Sequence, residues 1–518
     1  MMVEKSTKGA GLLVLLGIII VVSYFFLKPI LFERKQRATS DAVGSSTTIR
    51  IGGDNYIGYF FTNSQEMTKM AARKGLIIQF TDDGALYEER LDKFKNGEYD
   101  CIVLPVNSYL QHGEKVGYPG VIVAAISESR GADGMVVHDI TLPDFNSLND
   151  AGRSFVYIPD SPSSFLLDLL IHDFDLDKLK NSDAWRMTVG SPDEIYEAAK
   201  NGQGDIYVTW EPTLTKIAEL DGMNYSFGSN DFRGYIIDVF VFDRDFIEKH
   251  RDEVVRFFQT YYQVMGLYAN NIDNMYNEMK KSPDLKRLED EELEKLLEKV
   301  EWYDLYENCS DMFGINIGAG GYADEAIINC IINCTYVMIN AGIFSTDPLK
   351  GNPYEIVNSD ILRELSKTTT SLDEPGTQAI TFEPLTKEQW AKLHEVGKLK
   401  EQDITFSSSF PDILNVEGEE TVDKIASLLT TNYPSYRVIV RGHTPTGGDE
   451  SLNEKLSLER AQNVMARLTG VYLIDPNRIR AEGVGGSEPP EPKYGETPRQ
   501  RMYRSSRVEF ILIKENPF

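Results

Sequence analysis

The chain has few residues of the types that build catalytic and metal centres. Among its 518 residues are only six histidines and four cysteines. They are scattered, with no cluster of histidine, cysteine and carboxylate at the spacing that metal sites use. A serine-nucleophile motif is also missing, and the glycine-rich stretch 314–321 has no lysine of the phosphate-binding-loop type. We therefore expect no enzyme activity, no cofactor and no metal site.

Positive charge is scarce as well. Lysine and arginine total 53 against 80 aspartates and glutamates, which gives a formal net charge of −27. Such an acidic surface repels a phosphate backbone, so we expect no nucleic-acid partner. The cysteines do not indicate disulfides, because Cys330 and Cys334 lie four residues apart in a helix-like segment, a poor geometry for a bridge. We expect buried free thiols.

Only one apolar run is long enough to cross a bilayer. The run from Ala10 to Leu27 contains no charged residue and has basic residues on both sides. Its apolar core is longer than that of a signal peptide, and no small-residue cleavage site follows it. We therefore predict an uncleaved transmembrane anchor over residues 9–32, followed by a polar tether over residues 33–47.

From residue 48 onward, strand-like and helix-like segments alternate. This alternation is typical of βαβ units and predicts an α/β fold with a mostly parallel sheet. Strands are predicted at the segments 48–53, 76–80, 99–104, 120–126, 154–158, 205–209 and 236–242. Residues 346–399 contain four prolines and no strong hydrophobic period, so we predict a linker there, with one short helix near 387–396.

A second pattern begins near residue 438. Val438–Val440 predicts a buried strand, the segment 444–448 predicts a turn, and a helix follows. On this helix Asn453, Ser457 and Arg460 are four and three residues apart, so their polar ends share one face. A guanidinium on that face could bind a carboxylate through two parallel N–H···O bonds.

This strand, loop and helix closely resemble the OmpA-like peptidoglycan-binding domain. The resemblance covers roughly residues 400–518. It is carried by Gly442-His443-Thr444, the pattern N-x-x-L-S-x-x-R-A at 453–461, Arg478-Ile479, Gly483-Val484-Gly485, Pro489 and Arg507-Val508-Glu509. It implies an α/β sandwich that binds peptidoglycan. The residues that it implies for that contact are Thr444, Asn453, Ser457, Arg460 and Arg507.

The chain departs from that family at two places, because the position after Gly-His-Thr is changed and the family's closing N-R-R-V is reduced to Ser505-Ser506-Arg507-Val508. The residue after Gly-His-Thr is usually an aspartate, which holds the stem peptide's diaminopimelate together with the arginine that corresponds to Arg460. Here the position is Pro445, which supplies neither a charge nor an N–H donor. Asp449, later in the same loop, is a candidate replacement. The alternative to retained wall binding is a scaffold that only packs on a partner.

The order of segments from 48 to 345 resembles periplasmic solute-binding proteins of the nitrate, sulfonate and taurine type. The matching segments are 95–100, 131–137, 159–167, 202–212 and 237–239. The resemblance implies a type II fold with two α/β lobes, two crossover strands and a ligand in the cleft. One lobe would comprise 48–130 and 240–345, and the other 138–235.

Polar residues at the carboxyl ends of the predicted strands are the candidate ligand contacts, because open α/β sheets bind ligands there. They are Asp54, Asn55, Tyr56, Asn107, Ser108, Ser161, Ser163, Ser164, Trp210 and Glu211. A serine-rich helix start suits an anion, although simple helix capping is the alternative. Asp82, Asp83 and Glu211 make a cation or zwitterion equally suitable.

Two hypotheses follow for the whole chain. In the first, a single-pass inner-membrane protein holds a solute-binding domain in the periplasm and attaches to peptidoglycan as a sensor or tether. In the second, it is a structural, wall-anchored subunit of a membrane complex and has no small-molecule ligand. The basic residues after the anchor slightly favour a cytoplasmic C-terminal side. We nevertheless expect a periplasmic one, since a wall-binding domain has its ligand only there.

Overall fold

The structure is a computed structural model, which describes residues 46–138, 145–174, 176–283, 285–315, 324–368, 382–390, 392–399, 404, 416–433, 436–490, 492 and 496–514. Within these ranges no helix is both long and apolar enough to cross a membrane. The predicted anchor at 9–32 lies outside them, as does most of the predicted tether.

The first lobe begins with alternating strands and helices. In chain order these are β1 (Thr47–Gly53), helices Phe60–Asn63 and Gln65–Arg73, β2 (Leu76–Asp82), helix Tyr87–Lys95, β3 (Cys101–Pro105), helix Val106–Val116 and β4 (Gly120–Ser129). Strand β1 pairs in parallel with β2 and β3, and its residues Ile49 and Ile51 are fully buried. Ser64 caps the second helix by accepting a hydrogen bond from the Met67 amide.

The second lobe occupies the middle of this domain. Its elements are β5 (Asp133–His138), β6 (Phe155–Tyr157), helices Pro162–Asp173 and Asp177–Lys180, β7 (Arg186–Thr188), helix Pro192–Lys200, β8 (Ile206–Trp210), helix Thr213–Ala218 and β9 (Met223–Gly228). The strand order in its sheet is β7-β6-β8-β5-β9.

The chain then returns to the first lobe. The elements are β10 (Ile237–Asp243), helices Arg244–Lys249, Arg251–Ala269, Ile272–Met279 and Asp290–Leu297, β11 (Val300–Trp302), and helices Leu305–Glu307, Ala326–Asn340 and Asp360–Thr368. The sheet of this lobe has the order β11-β4-β10-β3-β1-β2. Cys330 and Cys334 are buried free thiols on one helix, as predicted, with their sulfur atoms 3.9 Å apart.

Both sheets are mixed, which corrects the prediction of a mostly parallel sheet. Strand β10 runs antiparallel to β3 and β4, and β5 runs antiparallel to β8 and β9. The reason is that β5 and β10 each enter their sheet from the other lobe. The crossover segments are 130–132 and 229–236, so the second lobe starts at Asp133 and ends at Gly228.

Two buried serines join the crossover segments. The hydroxyl oxygens of Ser129 and Ser229 lie 2.7 Å apart, and Ser229 also accepts a hydrogen bond of 2.8 Å from the Gly131 amide. Because these residues end β4 and follow β9, the bonds hold the two crossovers side by side. The two crossover segments form the hinge between the lobes.

The predicted linker at 346–399 is largely structured where it is described. Val357 pairs with Ile122 of β4, and helix Asp360–Thr368 buries Ile361, Leu362 and Leu365 in the first lobe. Further on, residues 387–390 form a helix, and 394–398 form a strand of the C-terminal sheet. The helix at 387–390 lies within the short helix predicted near 387–396, but residues 394–398 form a strand instead, and helix Asp360–Thr368 was not predicted.

The C-terminal domain contains helix Lys387–Trp390, β12 (His394–Lys398), helix Val416–Ser427, β13 (Arg437–Gly442), helix Glu450–Gly470, β14 (Ile479–Gly483), helix Pro498–Arg504 and β15 (Val508–Lys514). Its sheet has the order β12-β15-β13-β14, with β13 and β14 parallel. Helix Glu450–Gly470 packs directly on these two strands, since a Cβ atom at Gly442 or Gly483 would collide with its backbone at Ser457 or Leu458.

Candidate functional site

Polar contacts join the two lobes at two places. Gln111 of the first lobe donates a hydrogen bond of 2.6 Å to Asp160 of the second. Lys299 of the first lobe pairs with Glu211 and donates to the Thr215 hydroxyl at 3.1 Å. This second contact lies beside the first crossover, whose residues 130 and 132 are hydrogen-bonded to the backbones of Lys299 and Glu211.

A small cavity lies in the closed cleft. Its volume is about 20 Å³, which is room for about one water molecule. The lining combines acidic and aromatic side chains from both lobes: Asp54, Tyr56, Tyr59, Tyr87, Pro105, Asp133, Pro162, Trp210, Ile236 and Asp238. Three of these residues are carboxylates and none is basic, so the lining has the composition of a site for a positively charged group.

Asp54 is held in the cavity wall by a fully buried arginine. Arg90 donates to Asp54 at 2.8 Å and to Asp83 at 2.7 Å, and it also donates to the carbonyl of Val103. Burial raises the pKa of Asp54 and outweighs the lowering effect of Arg90. One guanidinium thus serves two buried carboxylates, and the cluster keeps a net negative charge when both are ionised.

In the part of the chain that the structure describes, no lysine or arginine donates a hydrogen bond to either of the other two carboxylates. Burial raises the pKa of Asp133 to about 7, helped by the charge of Glu211 and opposed by the Ser129 hydroxyl. Burial also raises the pKa of Asp238 far above its ordinary value, and Asp133 and Asp54 add to that shift, although the Tyr59 hydroxyl donates to Asp238. A cation in the cavity would stabilise the ionised forms of both groups.

Several buried oxygens beside the lining residues have no hydrogen-bond partner within the described parts of the chain. They belong to Asn107 and Ser108 after Pro105, Ser163 after Pro162, and Thr209 before Trp210. Buried polar atoms are normally satisfied by protein, water or ligand. The surroundings of the cavity are therefore more polar than packing alone requires.

The structure distributes the ten sequence-predicted residues as follows. Asp54, Tyr56 and Trp210 line the cavity, whereas Asn55 is exposed to solvent. Asn107, Ser108 and Ser163 are buried next to lining residues. Ser161 and Ser164 form a reciprocal capping box at the start of helix Pro162–Asp173, which uses the hydroxyls that were predicted to bind an anion.

Sequence reasoning did not select several lining residues and the supporting arginine. The lining residues that it did not select include Tyr59, Tyr87, Asp133 and Asp238. The supporting arginine is Arg90, which donates to Asp54. Two signals could have found them. Asp238 interrupts an otherwise apolar strand, and Arg90 falls on the apolar face of helix Tyr87–Lys95, next to the buried Leu91. A charged residue at a buried position is costly unless it is paired, and it often has a function.

The predicted wall-binding residues converge on one loop of the C-terminal domain. Arg460 donates to the carbonyl of His443 at 3.3 Å and to the Ser506 hydroxyl at 2.8 Å. The Ser457 hydroxyl accepts from the Gly485 amide at 2.9 Å, and the Thr444 amide donates to the Gly485 carbonyl. These bonds fix the loop after β13 against the helix and against the loop after β14.

Two of the remaining residues have structural partners. Asn453 donates to the Gly447 carbonyl, which shapes the loop, and Asp449 caps helix Glu450–Gly470 by accepting from Leu452. Asp449 therefore has a capping role in this structure, which does not support it as a replacement for the family's aspartate. Pro445 remains the difference at that position.

Arg507 belongs to a buried ionic cluster. It donates to Glu509 at 2.7 Å, and Lys398 and His443 approach the same carboxylate at 2.8 and 3.1 Å. Burial alone would raise the pKa of Glu509, but His443 and Lys398 lower it well below its usual range. The cluster ties β12, β13 and β15 together beneath the loop that carries Thr444.

Comparisons with known proteins find relatives of the C-terminal region. Residues 406–502 match the model of the OmpA family. The chain is 33% identical over 109 residues to the probable lipoprotein YiaD of Escherichia coli, and 35% identical over 114 residues to the outer-membrane lipoprotein YfiB of Pseudomonas aeruginosa. These matches cover 21% and 20% of this chain, and 47% and 66% of the relatives.

A third relative, outer membrane protein Omp38 of Acinetobacter baumannii, is 35% identical over 68 residues, which are 13% of this chain and 19% of that protein. The chain thus spans less than two thirds of the length of each of these relatives.

Solved structures resemble part of this chain at low identity. The alkanesulfonate-binding protein SsuA from Xanthomonas axonopodis pv. citri bound to MOPS is 16% identical, covers 50% of this chain and 88% of its own, and has a TM-score of 0.41. The nitrate-binding protein NrtA from Synechocystis PCC 6803 is 12% identical, covers 63% and 89%, and has a TM-score of 0.44. The architecture itself, two α/β lobes joined by two crossovers, is seen directly in this chain. The chain therefore joins a two-lobed α/β domain to a C-terminal region whose residues 406–502 match the OmpA family.

Proposed function

We propose that this chain binds a small, positively charged solute in its interlobe cleft and attaches to peptidoglycan through its OmpA-family domain. The function is binding rather than catalysis. The single observation that carries it is the lining of the closed cleft, where Asp54, Asp133 and Asp238 meet four aromatic side chains without a basic residue.

The chemistry of this lining favours an ammonium group. Carboxylates balance its charge, and the faces of Tyr and Trp rings attract cations. Pockets that recognise small molecules combine a mostly apolar wall with a few polar groups that fix the orientation, and this cavity has that composition. An anion, predicted from the serine-rich helix start, would face three carboxylates and find the Ser161 and Ser164 hydroxyls already used for capping.

The volume of the closed cavity favours a second candidate. Since about 20 Å³ holds only a water-sized group, a larger solute requires the lobes to open. A two-lobed domain that stays closed without ligand would be a structural element of a wall-anchored complex. The two candidates differ in one measurable property, which is stabilisation by a small cation.

A thermal-shift screen of the full chain in detergent separates the two candidates. The panel contains putrescine, choline and arginine as cations, glycine as a zwitterion, and ethanesulfonate and nitrate as anions. A ligand at a hundredfold excess over its Kd stabilises by about 2.7 kcal/mol, so the melting temperature of the domain should rise by roughly 5 °C or more. We expect such a shift with a cation and its loss in Asp133→Asn. No shift with any compound would favour the structural candidate.

The location of the domains is part of the proposal. The apolar run at 10–27 supports a single inner-membrane anchor, and the OmpA-family domain supports a periplasmic position for everything after it. Alkaline phosphatase fused after Ser46 should therefore be active in cells. An inactive fusion, together with an active cytoplasmic reporter fused at the same residue, would contradict both the anchor orientation and wall attachment.

A further inference from the structure

The C-terminal domain docks on the hinge of the two-lobed domain through residues 428–433, which we call the tip. The Arg233 amide donates to the carbonyl of Asn432 at 2.6 Å, and the Asn432 side chain donates back to the Arg233 carbonyl at 2.7 Å. Asn432 is only 1% exposed. Arg233 lies in the second crossover, whose backbone must twist when the lobes move. The tip is therefore hydrogen-bonded to a segment that changes conformation in that movement.

The tip also binds the second lobe. The buried carboxylate of Asp173, at the end of helix Pro162–Asp173, accepts hydrogen bonds from the hydroxyls of Tyr433 and Tyr235. Tyr235 belongs to the second crossover, and its carbonyl contacts the thiol of Cys334 in the first lobe. Asp173 is thus the point where the second lobe, the hinge and the C-terminal domain meet.

Space separates the C-terminal domain from the first lobe beside this junction. A cavity of about 370 Å³ lies there. Asn333 and Tyr336 of the first lobe form part of its wall, and Lys424 and Leu428 of the C-terminal domain form another part. At this place the C-terminal domain is bonded to the second lobe and the hinge but not packed tightly on the first lobe, so the first lobe has room to move.

A buried arginine connects the tip to the wall-binding loop. Arg478 donates to the carbonyls of Leu429, Tyr433 and Tyr436, and it immediately precedes β14. At its other end β14 leads to Gly485, which is bonded to Ser457 and Thr444. A single strand therefore runs from the group that fixes the tip to the loop that holds the predicted wall contacts.

We propose that the C-terminal domain moves as one body with the second lobe, and that its tip controls the hinge. Opening of the cleft then displaces the wall-binding domain relative to the first lobe, and a load on the wall-binding domain changes the lobe equilibrium. Such coupling is reciprocal, so a change at either end must be felt at the other. The inference extends the proposed function, since a bound solute would be one way to shift the same equilibrium.

Hydrogen exchange on the full chain tests this coupling without any ligand. The double variant Asn432→Ala, Tyr433→Phe removes the side-chain bonds from the tip to Arg233 and Asp173 and keeps most of its packing. We expect exchange of peptides covering 229–236 to rise about tenfold, and exchange of the first crossover, residues 129–133, to rise with it. The control is Thr430→Ala, whose hydroxyl donates to the carbonyls of Ala426 and Ser427 in its own helix.

The reverse experiment starts at the cleft. Lys299→Met breaks the interlobe pair with Glu211, and we expect faster exchange in peptides covering 428–436. Changes confined to the mutated segment in both experiments would overturn the proposal. If the double variant does not fold, the same hydrogen-exchange comparison is made with Tyr433→Phe alone. Because no ligand is added, these outcomes are independent of the thermal-shift screen. Failure of that screen would contradict only the proposal that a solute binds in the cleft.

Discussion

Arg90→Gln should destabilise the two-lobed domain by about 3–5 kcal/mol at pH 7, because removing one partner of a buried ion pair leaves uncompensated charge. Arg90 is fully buried and is the shared partner of Asp54 and Asp83. Glutamine can still donate hydrogen bonds through its amide group but carries no charge. The measurement is urea-induced unfolding of the full chain, followed by circular dichroism.

The effect of this substitution should depend on pH. Without Arg90, the pKa of Asp54 should rise beyond its already raised value, so the folded state would bind more protons than the unfolded state. A carboxylate with a raised folded-state pKa costs stability as pH increases. The loss should therefore be smaller at pH 5 than at pH 7. Arg50→Gln is the control, because Arg50 pairs with Asp100 but its side chain is 42% exposed, and we expect a loss of about 0–1 kcal/mol. Equal losses for the two arginines would contradict the role of Arg90.

Arg460→Ala should weaken binding of the protein to purified sacculi by roughly ten- to a hundredfold. A charge-assisted hydrogen bond to a stem-peptide carboxylate contributes on the order of 1.5–3 kcal/mol. In the structure Arg460 is positioned by His443 and Ser506 beside the Thr444 loop. Pro445→Asp should strengthen binding, since it restores the carboxylate that the family uses at that position. The assay is a pull-down with increasing amounts of sacculi.

Arg467→Ala provides the matched control for the sacculus assay. It lies on the same helix and pairs with Glu419 and Asp423, away from the loop. We expect its binding to equal that of the wild type. Equally weak binding by the wild type, Arg460→Ala and Pro445→Asp would mean that the domain is a packing scaffold, and the structural candidate would then be preferred.

Local pattern predicted much of the fold. The strands at 48–53 and 76–80 and the strand before the Gly-His-Thr motif were visible because their β-branched residues form short apolar runs. The second lobe's short edge strand, residues 186–188, was missed because it is mostly exposed and has no such run. The mixed strand directions could not be predicted either, because no local sequence signal shows which sheet β5 or β10 joins. Their antiparallel pairing depends on how the crossovers pass between the lobes.

The site was predicted less completely than the fold. Asp54 lies directly after β1 and Trp210 is the last residue of β8, and both line the cavity, whereas Asn55 is exposed. Asp133 was not selected because it begins a strand rather than ending one, and it reaches the cavity through the crossover. Ser161 was assigned to a ligand although its hydroxyl caps its own helix. Local sequence does not distinguish a capping serine from a binding one, because both sit at the same helix position.

The most direct test of cation binding is a calorimetric titration of the full chain at pH 6 and pH 8 with choline, which stays charged at both values. The pKa of Asp133 is about 7 in the closed cleft, so the ionised fraction of this carboxylate, and with it the affinity, should rise about tenfold between the two pH values. Protons should be released on binding at pH 6, and Asp133→Asn should remove the pH dependence. The same titration with ethanesulfonate should give no heat of binding. Tighter binding of ethanesulfonate than of choline, or an affinity for choline that falls from pH 6 to pH 8, would contradict a cation site in this cleft.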